Sequence, residues 1–135
     1  MIVNSNRFDF RDVIQKQLTR FGTATMEATY EAIDEVSKEA VKKLKSASPK
    51  GRTKLYAKGW KRQIERGRTK VGATVYGGKN TYPLAHLLEN GHKVEGYLKG
   101  KGKDRADPIV HIAPVEEWAV DEVQDRIIRK VEGIE

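Results

Sequence analysis

Three histidines, His86, His92 and His111, are the residues best suited by type to chemistry, and His86 stands three positions before Glu89, a spacing that shares one helix face. A metal site or a general base is what such a set suggests. No His-Glu-x-x-His pattern accompanies them, and a histidine near a helix end more often bonds a carbonyl or sits in a satisfied polar network. The chain has no cysteine, which removes thiolate metal sites, iron–sulfur chemistry, thiol nucleophiles and disulfides. It also lacks a Gly-x-Ser-x-Gly elbow. The stretch from Ala73 to Asn80 fails as a phosphate loop at both ends: Ala73 stands where the first glycine belongs, and Asn80 follows Lys79 where a hydroxyl is needed. The expectation is a protein without catalysis, cofactor or metal.

The charges suggest a different kind of function. The 135 residues carry a formal net charge of +7, unevenly distributed. From Lys42 to Lys70 there are twelve basic residues and one acid, Glu65, whereas Glu116 to Glu135 holds seven acids against Arg126, Arg129 and Lys130. Opposite poles on a small chain suit a nucleic-acid binder, and equally a subunit that docks a basic face on an acidic face of its neighbour. Within the basic stretch, Lys58, Lys61, Arg62, Arg66 and Arg68 are a candidate docking face. Tyr56 and Trp60, interleaved with them, are either stacking platforms or core residues; their alternation with Ile64 favours core. On that alternation Lys58 and Arg62 share the Trp60 face, which requires that they lie toward a sheet edge or that a bulge shifts the register.

The size corresponds to a single domain over 1–135. No run approaches the roughly 18 apolar residues of a membrane span, and the first residues lack a signal-peptide pattern, so no membrane partner is expected. Helical spacing runs through a region 9–47 as one bent helix or two helices meeting near Phe21 to Ala24, stopped by Ser48-Pro49. A sheet occupies 55–112. Its parts are a strand from Leu55 to Ile64, a turn at Glu65 to Arg68, a strand from Thr69 to Tyr76, a short helix over 83–90 and a short strand at Ile109 to Ile112. Residues 93–107, rich in glycine and lysine, read as a flexible basic loop. Pro114 opens a last helix over 114–132. The fold class is therefore α+β, with long N-terminal and C-terminal helices on a small, mainly antiparallel sheet into which a short helix is inserted.

Taken in order, Ala47-Ser48-Pro49-Lys50-Gly51-Arg52-Thr53, Tyr56-Ala57-Lys58-Gly59-Trp60, His86-Leu87-Leu88-Glu89-Asn90-Gly91-His92 and Pro108-Ile109-Val110-His111-Ile112-Ala113-Pro114 resemble the small neck or tail-completion proteins of long-tailed bacteriophages and prophages. The Leu-Glu-Asn-Gly-His and His-Ile-Ala-Pro pieces are the most specific. The chain departs at Thr53-Lys54, where these proteins usually have Thr-Gly, and in the longer, more basic segment 93–107. The resemblance implies a virion protein of the head–tail junction, assembled in the bacterial host cytoplasm, that forms a homo-oligomeric ring and docks to head–tail connector and tail-tube proteins. It implies no catalysis and no small-molecule substrate, and on it His86, Glu89, His92 and His111 form a structural polar network, in which Glu89 accepts a bond from a histidine or a basic strand residue and pins the short helix to the sheet. In such a ring, Lys99, Lys101, Lys103 and Arg105 would face the lumen and meet DNA through sequence-independent phosphate attraction. The competing reading is a small basic protein that binds nucleic acid without sequence preference.

Overall fold

The computed structural model describes residues 7–22, 25–50, 54–67, 70–93 and 105–133. The periodic N-terminal region resolves into two helices, α1 (Arg11–Phe21) and α2 (Met26–Ala47). They part at Gly22, whose φ of 83° ends α1 while its N–H still donates to the Leu18 carbonyl at 2.7 Å. Ser48 turns extended before Pro49, as the residue before a proline should. The Lys50 ammonium then donates to the carbonyls of Lys45, Ser46 and Ser48, closing the C-terminal end of α2.

A three-residue strand, β1 (Arg7–Asp9), precedes α1, so the N-terminal region starts as strand rather than helix at Asp9. It is too short for periodicity to reveal. β1 pairs antiparallel with β3 (Val71–Gly77), which pairs antiparallel with β2 (Trp60–Arg66), giving the order β1-β3-β2. The hairpin is as expected from the alternation, but β2 begins at Trp60. Leu55–Lys58 is a single helical turn, α3, where the sequence suggested strand. The reason is the spacing: Tyr56 and Trp60, four apart, are on one side of a strand and also on one side of a helical turn. Lys54 enters that turn at φ 60°, the one non-glycine residue with positive φ among those described.

The register sorts side chains cleanly. Phe8, Trp60, Arg62, Ile64, Ala73 and Val75 point to one face, and Arg7, Asp9, Lys61, Gln63, Glu65, Thr74 and Tyr76 to the other. α2 covers the first face through Ile33, Val36, Ala40 and Leu44, all fully buried with Trp60 and Val75 in one apolar cluster. Trp60 is a core residue, 1% exposed.

Beyond the sheet come α4 (Tyr82–Asn90), then the two-residue strands β4 (His92–Lys93) and β5 (Arg105–Ala106), paired antiparallel, and finally α5 (Ile112–Glu132). The proposed strand at Ile109 to Ile112 is absent. Ile109 and Val110 are 47% and 60% exposed, and helix begins at Ile112, two residues before Pro114. Four consecutive apolar or aromatic residues read as buried strand, but only His111 and Ile112 turn inward. α5 lays Val115, Ala119, Val123 and Ile127 against the shared core. Charged groups tie it to α2: Arg126, held by Glu122 of its own helix at 2.9 Å, reaches Glu39 at 2.6 Å and Glu35 at 3.3 Å, and Lys130 reaches Glu35 at 2.9 Å.

The left-handed conformation at Lys54 costs a residue with a Cβ about 1–2 kcal/mol, partly offset in a glycine by the freedom it gains on unfolding. Lys54→Gly should therefore raise stability by about 0.5–1 kcal/mol, seen as a higher urea midpoint with an unchanged slope.

Candidate functional site

The four motif pieces singled out in the sequence converge on one buried hub. α4 turns Ala85 and Glu89 inward, and Glu89 is 3% exposed. Its carboxylate meets the start of α5. Oε1 accepts the backbone N–H of His111 at 2.7 Å and of Ile112 at 2.9 Å, and Oε2 accepts that of Ala113 at 3.0 Å. A helix leaves its first four N–H groups without intrahelical partners. Here the fourth position is Pro114, which has no N–H. One carboxylate thus satisfies every donor at this helix end, and its negative charge sits where the helix dipole is positive.

His111, 2% exposed, locks the same corner from the other side. Its Nδ1 lies 2.6 Å from the Ile109 carbonyl and 3.1 Å from Glu89 Oε1. A carbonyl only accepts, so Nδ1 carries the proton, and in the neutral ring Nε2 is left to accept from the Tyr56 hydroxyl at 2.7 Å. Burial, and secondarily the Glu89 charge, raise the Tyr56 phenol well above its ordinary range, which keeps it a donor.

Tyr56 and its neighbours complete the hub. The Thr81 hydroxyl donates to the Tyr56 carbonyl at 2.7 Å, and Thr81 is wedged between two glycines. A Cβ on Gly59 would lie 1.9 Å from Thr81 Oγ1, and one on Gly77 would lie 2.8 Å from Thr81 Cγ2. The Trp60 indole N–H donates to Ser48 Oγ at 2.8 Å, and the Ser48 hydroxyl in turn donates to the Leu44 carbonyl. The Tyr56 and Trp60 rings meet edge-on at 6.1 Å, so Ser48, Tyr56, Trp60, Glu89 and His111 form one connected set of side chains from the end of α2, α3, β2, α4 and the entry to α5.

A carboxylate, a histidine and a tyrosine in hydrogen-bonded sequence have the composition of a proton relay. Their geometry is that of a brace. All three are buried, the carboxylate oxygens are already occupied by backbone donors, and the hydroxyl faces the histidine rather than a cleft.

Of the expected polar network, then, Glu89 and His111 meet. His86 does not join them: it is exposed, because the inward positions of α4 are Ala85 and Glu89. The His92 side chain lies outside what the structure describes. Glu89 also pins α4 to the N-terminus of α5, where a link to the sheet was expected. Tyr56 and Thr81 were missed as members, the latter for want of any motif. The expected docking face is divided. Arg62 is held by Asp34 at 2.6 Å and by Ser37 at 3.1 Å, and Arg66 by Glu27 at 2.6 Å while covering the Tyr30 ring, so both lie against α2. Lys61 points from the opposite sheet face and Lys58 is exposed on α3; Arg68 lies outside the described residues. Lys99, Lys101 and Lys103 also lie outside them, and the Arg105 backbone pairs with Lys93, so the ends of the basic loop are strand.

Among the described residues no group of three metal-ligating side chains is assembled, and no helix is long and apolar enough to cross a membrane. No protein-family model, curated protein or solved structure matches the chain.

Removing the Glu89 carboxylate leaves two buried donors and one part-buried donor bare, each buried one a desolvation penalty of about 1–3 kcal/mol if wholly unsatisfied. Glu89→Ala should lower stability by about 3 kcal/mol or more and Glu89→Gln, which keeps one acceptor oxygen, by about 2 kcal/mol; equilibrium denaturation reads both. Glu116, on α5, is different. Burial, then the charges of Asp9, Glu117 and Glu89, raise its carboxyl above the ordinary range. The folded protein then holds that proton more tightly than the unfolded chain, so this group's contribution falls as pH rises through the raised value and is least favourable at neutral pH. Glu116→Gln should stabilise slightly at pH 7, by at most about 0.5 kcal/mol after solvent screening, and the gain should vanish in mild acid. Melting temperatures of the two proteins across pH 4–7 check this.

Proposed function

We propose that the chain is a non-enzymatic virion assembly protein of a tailed bacteriophage or prophage, which completes the tail at the head–tail junction by forming a ring and docking to connector and tail-tube proteins. The observation that carries the reading is the meeting of the two most specific motif pieces. Glu89 of Leu88-Glu89-Asn90-Gly91-His92 caps the helix that His111-Ile112-Ala113-Pro114 begins. Motif residues engaged with one another deep in the protein serve a shape, and a shape is what an assembly subunit contributes. A second observation agrees. Where the chain has Lys54 and its phage counterparts usually have glycine, the backbone is left-handed, the conformation that glycine takes most easily.

The surface supports docking in place of turnover. Among the described residues, both outer strands of the three-stranded sheet, β1 and β2, present an unpaired edge, and the face carrying Arg7, Asp9, Lys61, Gln63 and Glu65 is exposed. Leu55, Tyr82, Leu84, Ile109 and Val110 are large apolar side chains, each nearly half exposed or more. The nucleic-acid reading loses part of its basis, because Arg62 and Arg66 are neutralised by carboxylates of α2.

The test is the mass of the protein in solution, alone and with tail-tube or connector protein. A ring that forms with such a partner, together with weak DNA affinity, is the expected result. A monomer or dimer that ignores both partners and binds DNA steeply and salt-sensitively would replace this reading with the nucleic-acid one.

A further inference from the structure

The exposed sheet face carries a cationic row. In the register, Tyr76 on the central strand stands opposite Arg7 on one side and Lys61 on the other, and all three point away from α2. Arg7 and Lys61 are exposed and make no ion pair among the described residues. Tyr82, 54% exposed, stands at the end of the row, and Arg7, Gln63, Thr74, Tyr76 and Tyr82 line an open cleft of about 430 Å³. Two free cations beside two tyrosines form a surface for an anionic partner with some apolar contact area.

The matching anionic surface is on α5. Glu117, Asp121 and Asp125 recur every four residues on its exposed side and, like the two cations, make no ion pair among the described residues. Of the acids near them, Glu122 holds Arg126, Glu35 and Glu39 on α2 meet Arg126 and Lys130, and Glu116 is partly buried. Spacing agrees as well as sign. Carboxylates four residues apart on a helix rise about 6 Å, so the three span about 12 Å. Cations on the two strands flanking a central one are about 10 Å apart, on long side chains that adjust by a few ångströms.

We propose that copies of this chain dock head to tail, the Glu117, Asp121 and Asp125 stripe of one copy seated on the Arg7–Tyr76–Lys61 row of the next. The inference rests on the ring-assembly reading and supplies its interface. The two patches are different surfaces, so the contact is heterologous: a docked pair keeps one row and one stripe free, one on each copy, as ring closure requires. A nucleic-acid strand fits this face less well: further along it Asp9 pairs with Arg11 at 3.5 Å and Glu65 with Lys70 at 3.1 Å, so the free positive charge stops at the row and does not continue as a line for phosphates. A short carboxylate stripe meets only the cationic row.

The absence of cysteine makes the test direct. Gln63→Cys on the sheet face and Gln124→Cys beside the acidic stripe leave all five charges in place. Mixed under mild oxidation at high protein concentration, the two variants should yield the mixed disulfide dimer several-fold above either homodimer. That preference should weaken as salt is raised. It should be lost when the sheet partner also carries Arg7→Glu and Lys61→Glu, or when the helix partner also carries Glu117→Lys, Asp121→Lys and Asp125→Lys. The helix substitutions are all at exposed positions, so they carry the test if the strand substitutions impair folding. Mixed dimer in merely random proportion, or a preference that survives both sets of charge reversal, would overturn the proposal. Preferred pairing without a partner-dependent ring would refute the neck assignment alone; a ring without preferred pairing would refute this interface alone.

Discussion

The constraint on which this structure turns is the placing of one buried carboxylate at the start of the last helix. Glu89 sits in an environment that penalises charge, and it is tolerated there because three backbone donors and a helix dipole converge on it. Pro114 completes the arrangement by removing the one donor that the carboxylate does not reach. Geometry in the rest of the protein follows. α5 has a fixed starting point and direction, so Val115, Ala119, Val123 and Ile127 enter the core in register with α2, and Arg126 and Lys130 come to rest on its glutamates. Through His111 and Tyr56 the same carboxylate also fixes α3, and with it the start of β2 at Trp60.

Much of this architecture is legible in the sequence because long elements announce themselves by repetition. α2 and α5 bury a residue at nearly every third or fourth position, and β3 alternates through Ala73 and Val75. Short elements do not. Three residues of β1 offer no period, and the four-residue gap between Tyr56 and Trp60 fits a helical turn as well as a strand. Exposed Ile109 and Val110 imitate a buried strand, since type alone does not say which apolar residue is left at the surface.

The polar hub was half visible for a related reason. Glu89 and His111 stand out by chemical type, and their association was within reach of inspection. The main partners of Glu89, however, are backbone N–H groups, which every residue but proline possesses and which leave no mark in the sequence. Thr81 is hidden likewise: what makes it necessary is the close approach of Gly59 and Gly77, a relation between three distant positions. The charge-rich stretch misled for the opposite reason. Arg62 and Arg66 were conspicuous as free cations, yet their partners Asp34 and Glu27 lie far away in the chain, on the helix that the strand packs against.

Such an arrangement devotes its most distinctive side chains to holding a rigid form and leaves the Arg7–Lys61 sheet face and the Glu117, Asp121 and Asp125 stripe exposed. The central claim is that the Glu89 brace ties the α5 terminus to the cooperative core, and amide hydrogen exchange at His111, Ile112 and Ala113 measures it most directly. A helix start normally frays, and its amides exchange through small local openings. Here all three should exchange as slowly as mid-helix amides of α2 such as Val36 and Ala40, through global unfolding only. Exchange at these three positions many-fold faster than in the middle of α2 would contradict the account, because the carboxylate would then be an ornament of a loosely held end rather than the fastening of the fold.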